Sequence, residues 1–300
     1  MSYDIVVLTD HKHAYPEKID DYTKNVIAED ALVVNALSSF GLKVIRLAWS
    51  DPHFDWSSTK AVLFRTTWDY FDDFEKFSDW LNQISKVTML INSEALIRWN
   101  IDKHYLADLQ KNGVHIAETL FIEKGTTRSL NDLHEETGWT NTVLKPCISG
   151  AARHTYKLTA ENRAAHEDLF RTLIAKESMM LQPFQERIVS EGEISMMVFN
   201  GQFTHAILKT AQAGDFRVQD DFGGSVHNYT PSKAEIKFAE NTVMACDEAP
   251  LYARVDIFND NNGKIALAEL ELIEPELWFR NYPKAAIILA EAIKEKLSLF

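Results

Sequence analysis

The sequence predicts an α/β protein that is divided into more than one lobe. Short apolar runs alternate with amphipathic stretches over the first hundred residues, and this alternation is typical of a βαβ sheet. Later in the chain, two alternating runs meet at Asn200-Gly201, a dipeptide that hairpin turns of type I′ prefer. With 300 residues, 46% of them apolar, the chain is long enough for two or three lobes.

The first lobe is predicted to contain four strands and two helices. We expect strands at 4–10, 43–49, 61–65 and 87–92, and helices at 28–41 and 74–84. No Gly-x-Gly-x-x-Gly follows the first strand, so a dinucleotide site is not expected there. Residues 11–27 are predicted to form an unusually long loop that could reshape a substrate pocket. In that loop we interpret His11 and His13 as solvated side chains, with a role as ligands or bases as the alternative.

The rest of the chain is predicted to change from parallel to antiparallel pairing. We expect helices at 101–113, 162–178 and 232–247 and from about 283 onward, and strands at 141–146, 154–158, 179–184, 192–199, 202–209, 251–260 and 264–273. Ser232 and Glu235 have the spacing of a capping box at the start of one helix.

Composition excludes several classes of protein. The formal charge is −13, from 44 acidic and 31 basic side chains, so we expect no nucleic-acid partner and no anionic membrane surface. No apolar run approaches the roughly 20 residues of a membrane span. The two cysteines, Cys147 and Cys246, give no disulfide framework. We expect a soluble cytoplasmic protein.

Four glutamates lie within the apolar run at residues 266–279. Strand alternation puts Glu269 and Glu271 on one face about 7 Å apart, where their repulsion costs roughly 2 kcal/mol. That face must therefore meet water or a cation. Asp256 lies in the preceding predicted strand, and pairing of the two strands would bring all three acids together. Three carboxylates without Cys or His suit Mg²⁺ or Mn²⁺, with a solvated acidic face as the open alternative.

A second stretch could bind phosphate. Lys145 lies in the predicted strand VLKP, and the residues after it, 147–152, are small. Such a loop can present backbone N–H groups to an anion, although a plain turn between strands would explain it equally well. We assign no nucleophilic role to Cys147, because a small residue in a phosphate loop accounts for it.

The order of these segments resembles the ATP-grasp superfamily. It runs from Asp102-Lys103 through VLKP, MLQPF and RVDIF to ELE, and covers about residue 92 to the C-terminus. The resemblance implies ATP as cosubstrate, with Mg²⁺ or Mn²⁺ held by Asp256, Glu269 and Glu271. The family's usual last ligand is Asn, where this chain has Glu271. The ATP-binding residues it implies are Lys103, Lys145, Ser149, Gly150, Gln182, Pro183, Phe184 and, for the ribose, Glu191, with Glu186 or Glu193 as alternatives.

Two further segments fit the same resemblance. The loop at 209–224 looks like the family's active-site loop, which implies catalytic roles for Lys209 and Arg217 and backbone contact with substrate at Gly223 and Gly224. The N-terminal segments AWSDP and RTTWDY resemble the branch that contains the D-cycloserine-forming cyclo-ligase and glutathione-synthetase-like enzymes. This branch implies that substrate is bound by Arg65, Thr66, Thr67, Asp69 and Glu274.

The resemblance implies an ATP-dependent carboxylate–amine ligase that acts on small molecules. An ATP-grasp kinase and a non-catalytic ATP-binding module remain alternatives, and a homodimer is left open because many relatives form one. We expect the ATP-grasp fold with an N-terminal Rossmann-like domain. The expected divisions are a pre-ATP-grasp α/β domain at 1–98, a central lid subdomain at 99–183 and a C-terminal subdomain with the metal site at 184–300.

Overall fold

The structure, a computed structural model, describes residues 2–150, 153–212 and 223–299. Its N-terminal sheet has four parallel strands in the order β2-β1-β3-β4. These strands are β1 (Tyr3–Thr9), β2 (Val44–Ala48), β3 (Thr59–Thr66) and β4 (Met89–Ile91). The helices of this lobe are α1 (His11–Ala14), α2 (Asp21–Ser39) and α3 (Phe74–Ile84). The predicted βαβ sheet is thus confirmed.

The prediction of one long loop over 11–27 is wrong. Helix α1 occupies its first residues, and α2 begins at Asp21, seven residues before the predicted start. Both helices have an aspartate N-cap: the side chain of Asp10 accepts from the backbone of His13, and that of Asp20 from Thr23. An aspartate in this position satisfies an N–H that the first helical turn leaves unpaired.

The predicted helix 101–113 is shorter than expected and begins only at Tyr105. Helix α4 (Glu94–Ile101), which the sequence reasoning missed, ends where Asp102 takes an extended conformation, and α5 (Tyr105–Lys111) follows. The Asp102 carboxylate accepts a hydrogen bond from the backbone N–H of His104 at 3.0 Å. This local bond competes with helical pairing, and it leaves Lys103 in the bend between the two helices.

The central sheet is antiparallel, with order β5-β8-β6-β7. Its strands are β5 (Leu120–Ile122), β6 (Thr142–Pro146), β7 (Tyr156–Leu158) and β8 (Met179–Pro183). Two helices, α6 (Leu130–Thr137) and α7 (Glu167–Ile174), bury leucine and phenylalanine side chains against it. The sequence reasoning missed β5 and α6, because three residues are too few to show a period of two and eight residues give barely two helical turns.

The C-terminal sheet has five antiparallel strands in the order β11-β10-β9-β12-β13. They are β9 (Glu193–Phe199), β10 (Gln202–Thr210), β11 (Ser225–Tyr229), β12 (Tyr252–Asn259) and β13 (Ile265–Glu271). The accompanying helices are α8 (Glu186–Glu191), α9 (Lys233–Met244) and α10 (Lys284–Ser298). The hairpin at Asn200-Gly201 is confirmed, with both residues at positive φ, and so is the capping box of Ser232 and Glu235.

Buried amides fix the end of β13 against the N-terminal half of the chain. Asn92 donates to the carbonyl oxygens of Tyr252 and Leu272, and Asn100 donates to that of Leu270. The backbone N–H of Leu270 in turn donates to the hydroxyl of Tyr105. Because buried backbone groups must be paired, these bonds hold the acidic segment in one place. Within the described residues, no helix has the length and apolar character that crossing a membrane requires.

Candidate active site

Residues of the central and C-terminal sheets, together with helix and loop residues of the N-terminal lobe, line one cavity of about 570 Å³. Its charged and titratable lining residues are Asp10, Lys12, His13, Tyr22, Asp69, Asp72, Lys103, Lys145, Glu193, Lys209, Arg254, Asp256, Glu269, Glu271, Glu274 and Glu276. A cavity of this volume accommodates a nucleotide or a drug-sized ligand. The cavity is therefore the candidate active site.

The predicted convergence of the three acids is confirmed. Strands β12 and β13 pair so that Asp256 lies opposite Glu269, and Arg254 lies opposite Glu271. Strand alternation puts Glu269 and Glu271 on the same side of β13, and both line the cavity; the register shift follows Asp256, beyond these pairs. All three carboxylates line the same cavity.

Cations already neutralise these acids within the protein. Arg254 contacts the carboxylates of both Asp256 and Glu271. Lys209 lies 2.5 Å from Glu193 and 3.3 Å from Asp256, and Lys103 lies 2.9 Å from Glu269. Arg254 is the first residue of the RVDIF motif, and no role was predicted for it. The signal was its position two residues before Asp256, which puts both side chains on one face of a strand.

The pKa values of two of these acids are lowered by neighbouring cations, whereas that of the third is raised. Arg254 and Lys209 overcome the effect of burial and lower the pKa of Asp256 to about 2. Lys103 and Lys145 lower the pKa of Glu269. Burial and the neighbouring Glu269 and Asp256 charges instead raise the pKa of Glu271 to about 7, although Arg254 opposes this shift.

The acids suit a hard divalent cation, but they differ in how far their side chains are exposed to the cavity. The side chains of Glu269 and Glu271 remain 31% and 25% exposed towards the cavity, whereas that of Asp256 is 3% exposed and already bound by cations. Oxygen ligands of this kind fit Mg²⁺. Glu269 and Glu271 are therefore the more accessible ligands, although Lys103 and Arg254 contact them, and Asp256 is the most enclosed of the three.

A different group has closer donor atoms. Among the described residues, Asp102, His104 and Cys147 place theirs within 4.8 Å of one another. Both ring nitrogens of His104 are already bonded, to Asp102 and Glu123, and burial raises the pKa of the Cys147 thiol to about 12. The group is a hydrogen-bonded cluster, and a protonated, buried Cys147 agrees with the absence of a nucleophilic role.

The two predicted phosphate lysines meet at the loop after β6. Lys103, 6% exposed, donates to the carbonyl of Ser149 at 2.6 Å, and its own backbone N–H donates to the carbonyl of Cys147. Burial and the nearby Lys103 charge lower the pKa of Lys145, so an anion placed here would stabilise its charged form. A Cβ on Gly150 would lie 2.6 Å from the Phe71 ring, which shows why this loop needs its glycine.

The predicted adenine hinge lines the cavity, with part of its backbone already engaged. Gln182, Pro183 and Phe184 all border the cavity. The N–H of Phe184 donates to the carbonyl of Asn141 at 2.8 Å, and the Phe184 carbonyl accepts from the Asn261 amide at 2.9 Å. These two backbone groups are thus bonded within the protein.

The structure favours Glu193 over Glu191 as the acid near a nucleotide. Glu191 ends α8 outside the cavity lining, where it pairs with Arg187 at 2.6 Å and accepts from Asn259. Glu186 is exposed at the start of the same helix. Glu193 lines the cavity beside Lys209.

The predicted substrate residues of the N-terminal lobe fall into two groups. Asp69 and Glu274 line the cavity, together with the indole of Trp68. Arg65, Thr66 and Thr67 are all buried behind that lining. Arg65 donates to the carbonyl of Pro275, and Thr66 shares a 2.5 Å hydroxyl contact with Thr9. Arg65 and Thr66 thus have partners within the protein, and Thr67 is fully buried, so none of the three presents a surface to the cavity.

The interpretation of His13 as a solvated side chain is wrong. It is 3% exposed and lines the cavity, because α1 turns it inward against Asp10. His11 on the same short helix is exposed, as expected. A histidine two residues from another gives no sequence signal for which one is buried.

The active-site loop is only partly described. Lys209 lies in the cavity at the end of β10. Gly223 and Gly224 lie outside the cavity lining, and a Cβ on Gly223 would meet the side chain of Gln212. The predicted residue Arg217 lies outside the described residues.

Comparisons with known proteins agree with this arrangement. Residues 5–92 match the family described as the N-terminal domain of the D-cycloserine synthetase DcsG. Residues 104–272, more than half of the chain, match the RimK-like ATP-grasp domain. The cycloserine biosynthesis protein DcsG of Streptomyces lavendulae is 29% identical over 285 residues, which cover 88% of this chain and 92% of that protein.

Solved structures show the same fold over almost the whole chain. The crystal structure of D-cycloserine synthetase DcsG superposes with a TM-score of 0.85 at 24% identity, covering 98% of this chain and 99% of that one. The D-alanine–D-alanine ligase of Bacillus anthracis gives a TM-score of 0.64 at 14% identity, with 99% and 97% covered. The chain belongs to the RimK-like ATP-grasp family and is an ATP-dependent carboxylate–amine ligase.

Proposed function

We propose that the enzyme activates the carboxylate of a small amino-acid derivative and closes it into a ring by intramolecular amide formation. The observation that carries this proposal is that the lysines assigned to phosphate and a polar N-terminal wall line the same cavity of about 570 Å³. The relative DcsG is named for cycloserine biosynthesis. An O-substituted serine of the kind that gives cycloserine, such as O-ureido-D-serine, is the proposed substrate.

The cationic side chains are proposed to bind the triphosphate. Lys103 and Lys145 flank the loop at Ser149 and Gly150, and Lys209 and Arg254 lie in the same cavity. Positioning and charge stabilisation account for most of the catalysis in phosphoryl transfer. We assign Arg254, together with the predicted Arg217, to the charge of the transferring phosphoryl group.

The acids are proposed to hold Mg²⁺ or Mn²⁺. Glu269 and Glu271 are open to the cavity, and Asp256 completes the set once its bond with Arg254 loosens. The metal ion, when bound, supplies positive charge to the phosphate oxygens. Lys103 and Arg254, which neutralise the acids here, are then free to turn towards phosphate.

The reaction proceeds by two displacements. A carboxylate oxygen of the substrate attacks the γ-phosphorus of ATP, and ADP leaves. A nitrogen of the same molecule then attacks the acyl carbon of the acyl phosphate, the C–O bond breaks, and inorganic phosphate leaves with the electron pair. Water would destroy the acyl phosphate, so the cavity must exclude it during the second displacement. The predicted central lid subdomain would close over ATP for this purpose.

The domain divisions at 98 and 183 are proposed on the same basis. Each of the three proposed units contains one of the three sheets. Both cysteines are free, which supports the proposed cytoplasmic location, and the open question of a homodimer is unaffected.

The test is a product analysis with ATP, Mg²⁺ and O-ureido-D-serine, next to a panel of amino acids, dipeptides and other O-substituted serines. We expect ADP, phosphate and a cyclic product by mass spectrometry with an O-substituted serine. ADP with a stable phosphoester would replace the proposal with a kinase. ATP binding without ADP release for every compound would indicate a binding module.

A further inference from the structure

The most unusual group that the mechanism leaves unused is the imidazole of His13. Its Nε2 atom is buried and has no hydrogen-bond partner. A buried nitrogen left unpaired is unfavourable, and such atoms in native structures call for an explanation. His13 lines the catalytic cavity, so the missing partner has a natural source in a substrate.

Asp10 fixes the tautomer of this imidazole. The Nδ1 atom of His13 lies 2.8 Å from both carboxylate oxygens of Asp10. Carboxylate oxygens accept hydrogen bonds, so the neutral imidazole carries its proton on Nδ1 and donates it. In this tautomer the lone pair lies on Nε2, the atom without a partner. Asp10 also caps α1 by accepting from the His13 backbone N–H at 2.7 Å, so the pair is rigidly oriented.

The surroundings of the imidazole hold it beside the substrate wall. The rings of Trp68 and Tyr22 lie 5.8 and 6.2 Å from it, centroid to centroid, and both residues also line the cavity. Trp68 is in turn fixed by a bond from its Nε1 to the carbonyl of Glu274. Catalytic hydrogen bonds commonly tighten only in the substrate complex, so a substrate N–H is expected to reach Nε2 only when the substrate is bound.

We propose that His13 is the general base of the second displacement, with Asp10 as its positioning residue. This role rests on the proposed ring closure. As the substrate nitrogen forms its bond to the acyl carbon, its N–H bond breaks and the proton passes to Nε2. The resulting imidazolium is stabilised by the Asp10 carboxylate, phosphate leaves with the electrons of the C–O bond, and the proton is later released to solvent. A ureido nitrogen is barely basic because its lone pair is delocalised, so it needs such a base more than a free amine does.

The test separates the two displacements. Positional isotope exchange in ¹⁸O-labelled ATP, with O-ureido-D-serine and Mg²⁺, reports formation of the acyl phosphate alone. Mass spectrometry of the cyclic product reports both displacements. For His13→Gln we expect cyclic product to fall about 10²- to 10⁴-fold, with isotope exchange unchanged. In His13→Gly, added imidazole should restore product formation.

Matched variants keep the outcome decisive. His11→Gln changes the exposed histidine of the same helix and should leave both readouts unchanged. Thermal melting by circular dichroism confirms that the His13 variants fold, and Asp10→Asn, which keeps the cap, should lower product formation without lowering exchange. Equal loss of exchange and product, or no rescue by imidazole in a folded His13→Gly, would overturn the role of His13. Loss of cyclic product with unchanged isotope exchange in Glu274→Gln, and not in His13→Gln, would overturn it as well. Absence of exchange in the unaltered enzyme would count against the proposed function and not against His13.

Discussion

The two walls of the cavity shift the pKa of a glutamate in opposite directions. On the wall made by β12 and β13, Glu269 lies beside Lys103 and Lys145, and its pKa is lowered. Five residues on, Glu274 faces the N-terminal wall, where burial and the charge of Glu271 raise its pKa to about 8. Asp69 on that second wall also has a raised pKa, mainly through burial.

The difference shows that neighbouring cations, and not burial alone, decide the charge of a cavity acid. The first wall keeps Asp256 and Glu269 ionised beside positive groups, which suits a site for metal and triphosphate, whereas the pKa of Glu271 on the same wall is raised. The second wall offers Glu274 and Asp69, whose pKa values are raised, together with indoles and a histidine, which suits an amino-acid substrate. The following variants test that division, from the largest expected effect to the smallest.

Glu269→Gln should have the largest effect on turnover. It removes one open carboxylate from the cation-rich wall while keeping an oxygen that accepts from Lys103. We expect product formation to fall about 10³-fold, with an unchanged melting temperature. Steady-state rates over a range of Mg²⁺ concentrations measure this. Near-normal turnover would remove Glu269 from the proposed metal site.

Lys145→Met should act on ATP. It deletes a positive charge whose pKa is lowered by burial and by Lys103, so its interaction partner is expected to be the triphosphate. We expect kcat/KM for ATP to fall about 10²-fold. The matched control is Lys176→Met, at an exposed position outside the cavity lining, and equal effects of both variants would refute the phosphate contact.

Glu274→Gln should change how stability depends on pH. The pKa of Glu274 is raised from 4.5 to about 8 on folding, so the folded state binds the extra proton in that interval. Its contribution to the free energy of unfolding is fully present below pH 4.5 and is lost as the pH rises through about 8. Urea unfolding across this range should give a steeper decline for the unaltered protein than for the variant. Parallel curves would contradict a protonated Glu274, and Glu291→Gln, at an exposed position on α10, is the control.

Trp49→Phe should cause the smallest loss. The Trp49 indole N–H donates to the Asp69 carboxyl group at 2.5 Å. A neutral donor thus contacts this acid, whereas cations contact the acids of the opposite wall. We expect a loss of about 0.5–1.5 kcal/mol in the free energy of unfolding, the usual net contribution of one hydrogen bond. A double-mutant cycle with Asp69→Asn isolates the bond, and a coupling energy near zero would show that the indole does not hold Asp69.

Local patterns predicted the elements best where a pattern was long. The predicted helix at 74–84 coincides with α3, and the Asn200-Gly201 hairpin is confirmed, because a strong period and a specific turn need no distant partner. Short elements such as β5 were missed. Asp102 takes an extended conformation between α4 and α5. This conformation is accompanied by a side-chain hydrogen bond that residue order does not reveal.

Local sequence patterns also predicted only part of the candidate site. The meeting of Asp256 with Glu269 followed from strand pairing and alternation alone. The place of Arg254 between Asp256 and Glu271 needed the register of β12 against β13. The inward turn of His13 and the burial of Arg65 depend on contacts across the fold, with Asp10 and Pro275 respectively.

By itself, the sequence determined the sheet-forming segments and the acidic run, since these depend on residue type and near spacing, and its resemblance to the ATP-grasp superfamily pointed to the lysines. Only the tertiary structure decided which acids stay ionised, which histidine enters the cavity and which predicted substrate residues lie behind its wall. The physical reason is range: periodicity and turn chemistry act over a few residues, whereas burial and the distance to a cation are set by elements that meet from far apart in the chain.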